Sequence, residues 1–60
     1  MSKTVVKTVV FDEEPSWNEI QHLSEVLLST EAVMVIWYSG KGERGWQQAL
    51  LDNKGGLTLL

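Results

Sequence analysis

Ala32-Val33-Met34-Val35-Ile36-Trp37-Tyr38 decides the fold. These seven residues carry no charge and are mostly β-branched or aromatic. An apolar run this short suits a strand covered on both faces better than a buried helix. Such a strand belongs inside a sheet, so the flanking segments must supply its neighbours.

Upstream, Ser16-Trp17-Asn18-Glu19 has the pattern of a capping box. The serine hydroxyl accepts from the Glu19 backbone N–H while the glutamate reaches back to the serine N–H. Pro15 keeps the chain extended up to that point. Beyond it, Trp17, Ile20, Leu23, Val26 and Leu27 fall on one side, and Asn18, Gln21, His22, Glu25 and Ser29 on the other. The spacing predicts an amphipathic helix over 16–29 that covers one face of a sheet. Earlier still, Lys-Thr-Val-Val-Lys-Thr-Val-Val-Phe over 3–11 reads as a strand on its β-branched density. Plain alternation puts Val5, Lys7, Val9 and Phe11 on one face and Thr4, Val6, Thr8 and Val10 on the other. Strand, helix and strand in this order predict a parallel pair with a right-handed crossover.

Downstream, Ser39 to Gly45 is a glycine-rich loop, and two readings of the segment after it stay open. Trp46-Gln47-Gln48-Ala49-Leu50-Leu51 contains good helix formers, with Gly55 placed to end a helix. Alternatively, Asp52-Asn53-Lys54-Gly55 forms a type I turn followed by a left-handed glycine, joining strands 46–51 and 56–60. The hairpin is preferred because Leu57-Thr58-Leu59-Leu60 needs a neighbour. Gly45-Trp46, Ala49 and Gly56-Leu57 also resemble the later strands of SH3 domains. That resemblance covers only the last quarter of the chain. The capped helix and the missing acidic-aromatic ligand surface depart from it, and no family is assigned. The expected architecture is a single small α/β (α+β) domain over 1–60. It has one mixed sheet, in the order β-α-β-β-β, with one amphipathic helix packed on one face.

A chain of 60 residues, 43% of them apolar, has a marginal core. Small domains are usually reinforced by disulfides, metals or association. With no cysteine and one histidine, neither a disulfide nor the usual zinc site can be built. No metal or cofactor is expected, and association or close packing is left. The net charge of −3, with five scattered basic residues, disfavours nucleic acid and anionic membranes as partners. No leader-like segment or membrane span is read, so a cytoplasmic setting is the default expectation.

Gly40-Lys41-Gly42-Glu43-Arg44-Gly45 matches G-x-G-x-x-G. A dinucleotide site needs an acidic ribose contact about 20 residues further on, and the chain has no place for one. His22 lies opposite the apolar helix stripe, beside Glu25 and Asn18, without the cleft a general base requires. No catalytic residue is assigned and an enzyme is not expected. The three tryptophans carry more weight, because tryptophan is rarely fully buried and concentrates in interface hot spots. Trp37 and Tyr38 point to opposite faces of one strand, and a single helix covers only one of them.

The leading expectation is a non-enzymatic protein-binding module, a small regulator or inhibitor docking on a larger protein. Size alone admits phage-type proteins aimed at host enzymes among such modules. The expected contact residues are Trp37, Tyr38, Trp46, Lys41 and Arg44. One alternative is a homo-oligomeric structural subunit, a homodimer in its simplest form. Another is nucleotide or nucleic-acid binding through the Gly40–Gly45 loop.

Overall fold

In the computed structural model, which describes residues 3–40 and 45–60, the chain folds as β1 (Thr4–Phe11), α1 (Trp17–Glu25), β2 (Glu31–Tyr38), β3 (Trp46–Leu51) and β4 (Leu57–Leu59). The four strands form one sheet in sequence order. β1 runs parallel to β2, and the β2–β3 and β3–β4 pairs are antiparallel. The mixed sheet with one helix on one face is therefore present, and 46–51 is a strand of a hairpin.

The hairpin forms because Asp52 and Gly55 fit the turn. Gly55 has φ +80°, in the left-handed region where a Cβ is strained. One carboxylate oxygen of Asp52 accepts from Lys54 N–H at 2.9 Å and from Gly56 N–H at 2.8 Å. These bonds hold the turn independently of helix propensity in 46–51, which the pairing with β2 overrides.

The helix is shorter than its apolar spacing predicts. Ser16 caps it as expected, accepting from Glu19 N–H at 3.3 Å. It stops at Glu25 because the chain then folds into tight turns. Leu27 N–H donates to Ser24 C=O, and Glu31 N–H donates to Leu28 C=O. The Glu31 carboxylate also accepts from Leu28 N–H at 2.8 Å. Val26 and Leu28 are consequently turned to solvent, and Trp17, in the first helical turn, is 63% exposed rather than packed. Ile20, Leu23 and Leu27 make the actual contact with the sheet.

One core lies between α1 and the sheet. It is built from Ile20 of the helix, Val33, Val35 and Trp37 of β2, and Ala49 and Leu51 of β3. Val9 and Phe11 of β1 pack against it from the side. Two expectations are corrected here. β2 is fully buried along its helix face, whereas on the other face Ala32 is buried and Met34, Ile36 and Tyr38 are half-buried. In β1 the register shifts between Val5 and Lys7, so strict alternation fails. Val5 pairs with Ala32, whereas Lys7, Val9 and Phe11 pair with Val33, Val35 and Trp37, which puts Val5 on the opposite face from the other three.

Candidate functional site: the uncovered face of the sheet

Among the described residues, no helix covers the side of the sheet away from α1. Register assigns it residue by residue, because directly paired positions share a face. On β2 it carries Ala32, Met34, Ile36 and Tyr38. β1 adds Val5, Thr8 and Val10, paired with Ala32, Met34 and Ile36. β3 adds Trp46, Gln48 and Leu50, paired with Tyr38, Ile36 and Met34, and β4 adds Thr58, paired with Leu50. None of these residues is charged, although 22% of the chain is.

Relief divides this face into two ends. At one end Tyr38 and Trp46 sit side by side across the β2–β3 ladder, with ring centroids 5.1 Å apart and planes tilted by 57°. That is a tilted arrangement at a separation favourable for aromatic pairs. Trp46 remains 50% exposed and Val10, at the same end on β1, 60%. At the other end the small Ala32 side chain is nearly covered, at 3% exposure. A mostly apolar recess of about 370 Å³ opens there, lined by Lys3, Ala32, Leu50, Leu51, Asp52 and Thr58. Lys3 is held at its rim, its ammonium donating to Ser29 C=O at 2.8 Å and to Asn53 Oδ1 at 3.4 Å.

The structure separates the residues expected to act together. Tyr38 and Trp46 share the uncovered face. Trp37 does not: it is 7% exposed, in the core beneath α1, and presents nothing to a partner. Lys41 and Arg44 lie outside the described residues. The loop that holds them is closed at its base, where the Ser39 backbone N–H and hydroxyl both donate to Gly45 C=O. Gly40 there has φ +77°.

Sequence reasoning missed Val10, Ile36, Leu50 and the recess beside Ala32. The uncharged even positions of 32–38 were the available signal for Ile36. The recess depends on the β2–β3–β4 register, which no local pattern encodes.

Two other features were weighed as sites. A notch of about 310 Å³ beside the helix start is lined by Phe11, Asp12, Glu13, Glu14, Pro15, Ser16 and Glu19. Among the described residues, no group of histidine, cysteine, aspartate and glutamate is placed to hold a metal ion. His22 Nδ1 lies 3.7 Å from a Glu25 carboxylate oxygen, with both side chains largely exposed on the helix surface. Among the described residues, no helix is long and apolar enough to cross a membrane. Comparison of the chain with protein-family models, curated proteins and solved structures finds no match.

Proposed function

We propose that this chain is a non-enzymatic protein-binding module whose contact surface is the uncovered face of its sheet. One observation carries the reading. A face whose paired strand positions carry no charge presents a half-exposed tryptophan beside a tyrosine, while α1 occupies the opposite side. Exposed aromatic residues set among apolar neighbours are the usual centres of binding energy in protein interfaces. The two expectations that involve a protein partner, a regulator docking on a larger protein and a self-assembling subunit, would both use this surface. An acidic chain with scattered lysines gives a nucleic-acid backbone little to bind.

The test is surface-dependent capture. Tagged chain is incubated in nuclease-treated lysate that also contains untagged chain. Stoichiometric binding of a polypeptide is compared between wild type, Trp46→Ala and Trp17→Ala. Binding lost with Trp46→Ala and kept with Trp17→Ala supports the reading, because Trp17 is at least as exposed but lies on the helix. Binding that depends on Trp17 instead, or no binding of any polypeptide, contradicts it.

A further inference from the structure

We infer that the occupant of the uncovered face is a second copy of this chain. The two copies are related by a two-fold axis that crosses the strands at Gln48 and seats each Trp46 in the other copy's recess at Ala32, Leu50 and Thr58. The inference rests on the reading of that face as the contact surface, and it names the partner.

Three observations converge on self-pairing. The first is shape. Trp46 and Leu50 lie on the same strand, and Gln48 is midway between them. At about 3.3 Å per residue the two ends are roughly 13 Å apart. A two-fold axis across the strands at Gln48 reverses each sheet end for end while keeping β3 over β3. It therefore brings the exposed indole of one copy onto the recess of the other, twice, as an isologous interface requires. The recess of about 370 Å³ is mostly apolar and lies between Ala32 on β2 and Thr58 on β4, centred on the strand that carries Trp46. At the axis, Gln48 faces Gln48 of the second copy. Each carboxamide has both a donor and an acceptor, so the pair satisfies itself.

The second observation is charge. The chain carries −3, which opposes self-association in general. The paired strands place no charged residue on this face, and the two charges that line the recess, Lys3 and Asp52, are of opposite sign, so two copies meet there without like charges in opposition. The acidic segment Asp12-Glu13-Glu14 lies outside the strands, and Glu31 pairs with Thr4 at the sheet end, on the helix side.

The third is area. Strands of eight, eight, six and three residues give a footprint of roughly 400 Å² per copy, from about 3.3 Å per residue and about 4.8 Å between strands. That is a little under a tenth of the 4508 Å² surface, just short of the share that small proteins commit to a stable interface. Two such faces bury about 800 Å², below the roughly 1,000 Å² of a stable specific contact, so the pairing is expected to be weak and concentration-dependent.

The experiment is sedimentation velocity on purified chain from about 10 μM to about 1 mM, the range over which such an interface should assemble. Wild type is compared with Trp46→Lys, with Leu50→Glu, and with an equimolar mixture of the two variants. Expected are a wild-type dimer and, for each variant alone, association weakened at least about 30-fold, as for a hot-spot residue. The mixture should recover a heterodimer, because one Trp46–Leu50 contact is native and the other pairs lysine with glutamate. Circular dichroism confirms that each variant is folded.

If a variant alone fails to fold, Gln48→Cys replaces it. The chain has no other cysteine, so a short bis-maleimide joins two copies only if their Gln48 positions face each other across sheets about 10 Å apart. Cross-linking there supports the pairing and its absence overturns it. A wild-type monomer throughout overturns self-pairing. If that monomer still captures another protein through Trp46, only the identity of the partner was wrong. A dimer that survives Trp46→Lys, or a mixture that fails to recover, overturns this geometry.

Discussion

Trp46 packs beside Tyr38, ring centroids 5.1 Å apart and planes tilted by 57°, on the face of the sheet that the helix does not cover. Trp37, one residue before Tyr38, faces the other way and is nearly sealed beneath α1. The two tryptophans therefore do different work. At high dilution Trp46→Ala is expected to cost about 0.5–1.5 kcal/mol, the worth of its aromatic pairing. Trp37→Ala removes a core ring and is expected to cost about 3–5 kcal/mol. Urea unfolding of both variants checks this, and equal losses would contradict the assignment of faces.

Leu51 is fully buried, on β3 under the helix, and belongs to the one core cluster. Truncation to alanine leaves a cavity that so small a domain has little means of refilling. A loss of about 2–5 kcal/mol is expected, enough to leave the variant largely unfolded at room temperature. Far-UV circular dichroism with a urea titration reads it directly. A cooperative transition at the wild-type midpoint would contradict the core described above.

Gly55 closes the β3–β4 hairpin at φ +80°. Space does not limit substitution there, since the nearest contact of an added Cβ is the Ser24 hydroxyl at 4.0 Å. The backbone conformation does. Gly55→Ala is expected to destabilise by about 1–2 kcal/mol, with Gly55→Asn less costly because asparagine tolerates this region. The ordering of the two variants in thermal unfolding is the check.

The Asp52 carboxyl is held below its ordinary value of 3.8, chiefly by the Gly56 backbone N–H and then by that of Lys54, with smaller help from the charges of Lys3 and Lys54. A carboxylate lowered on folding contributes stability that is complete above its unfolded value and is lost as pH falls through the folded one. Wild type should therefore lose stability below about pH 4 more steeply than Asp52→Asn, which keeps an acceptor oxygen but does not titrate. Denaturant midpoints measured down to about pH 2 test this. Parallel acid profiles for the two proteins would contradict it.

Much of this fold was legible because the signals are local. The Ser16 cap acts within one turn, and the Asp52–Gly56 bonds span five residues, so the helix start and the hairpin could be read without knowing their surroundings. The end of the helix could not. Val26 continues the apolar spacing, but Glu31 turns its carboxylate back onto Leu28 and makes a turn compete with another helical one. The irregularity between Val5 and Lys7 was also hidden, because it exists only in the pairing of β1 with β2. The same holds for the candidate surface. Tyr38 and Trp46 could be suspected singly, whereas their juxtaposition and the recess beside Ala32 follow from the β2–β3–β4 register.

The three tryptophans provide the most direct measurement of the central claim, because they sit on the outer helix surface, in the core and on the uncovered face. Their indole N–H resonances, assigned by substitution, can be followed by NMR over a dilution series. Association through the uncovered face predicts that the Trp46 resonance moves with concentration while those of Trp17 and Trp37 stay fixed. A Trp46 resonance that never moves, or a Trp17 resonance that moves instead, would contradict the account.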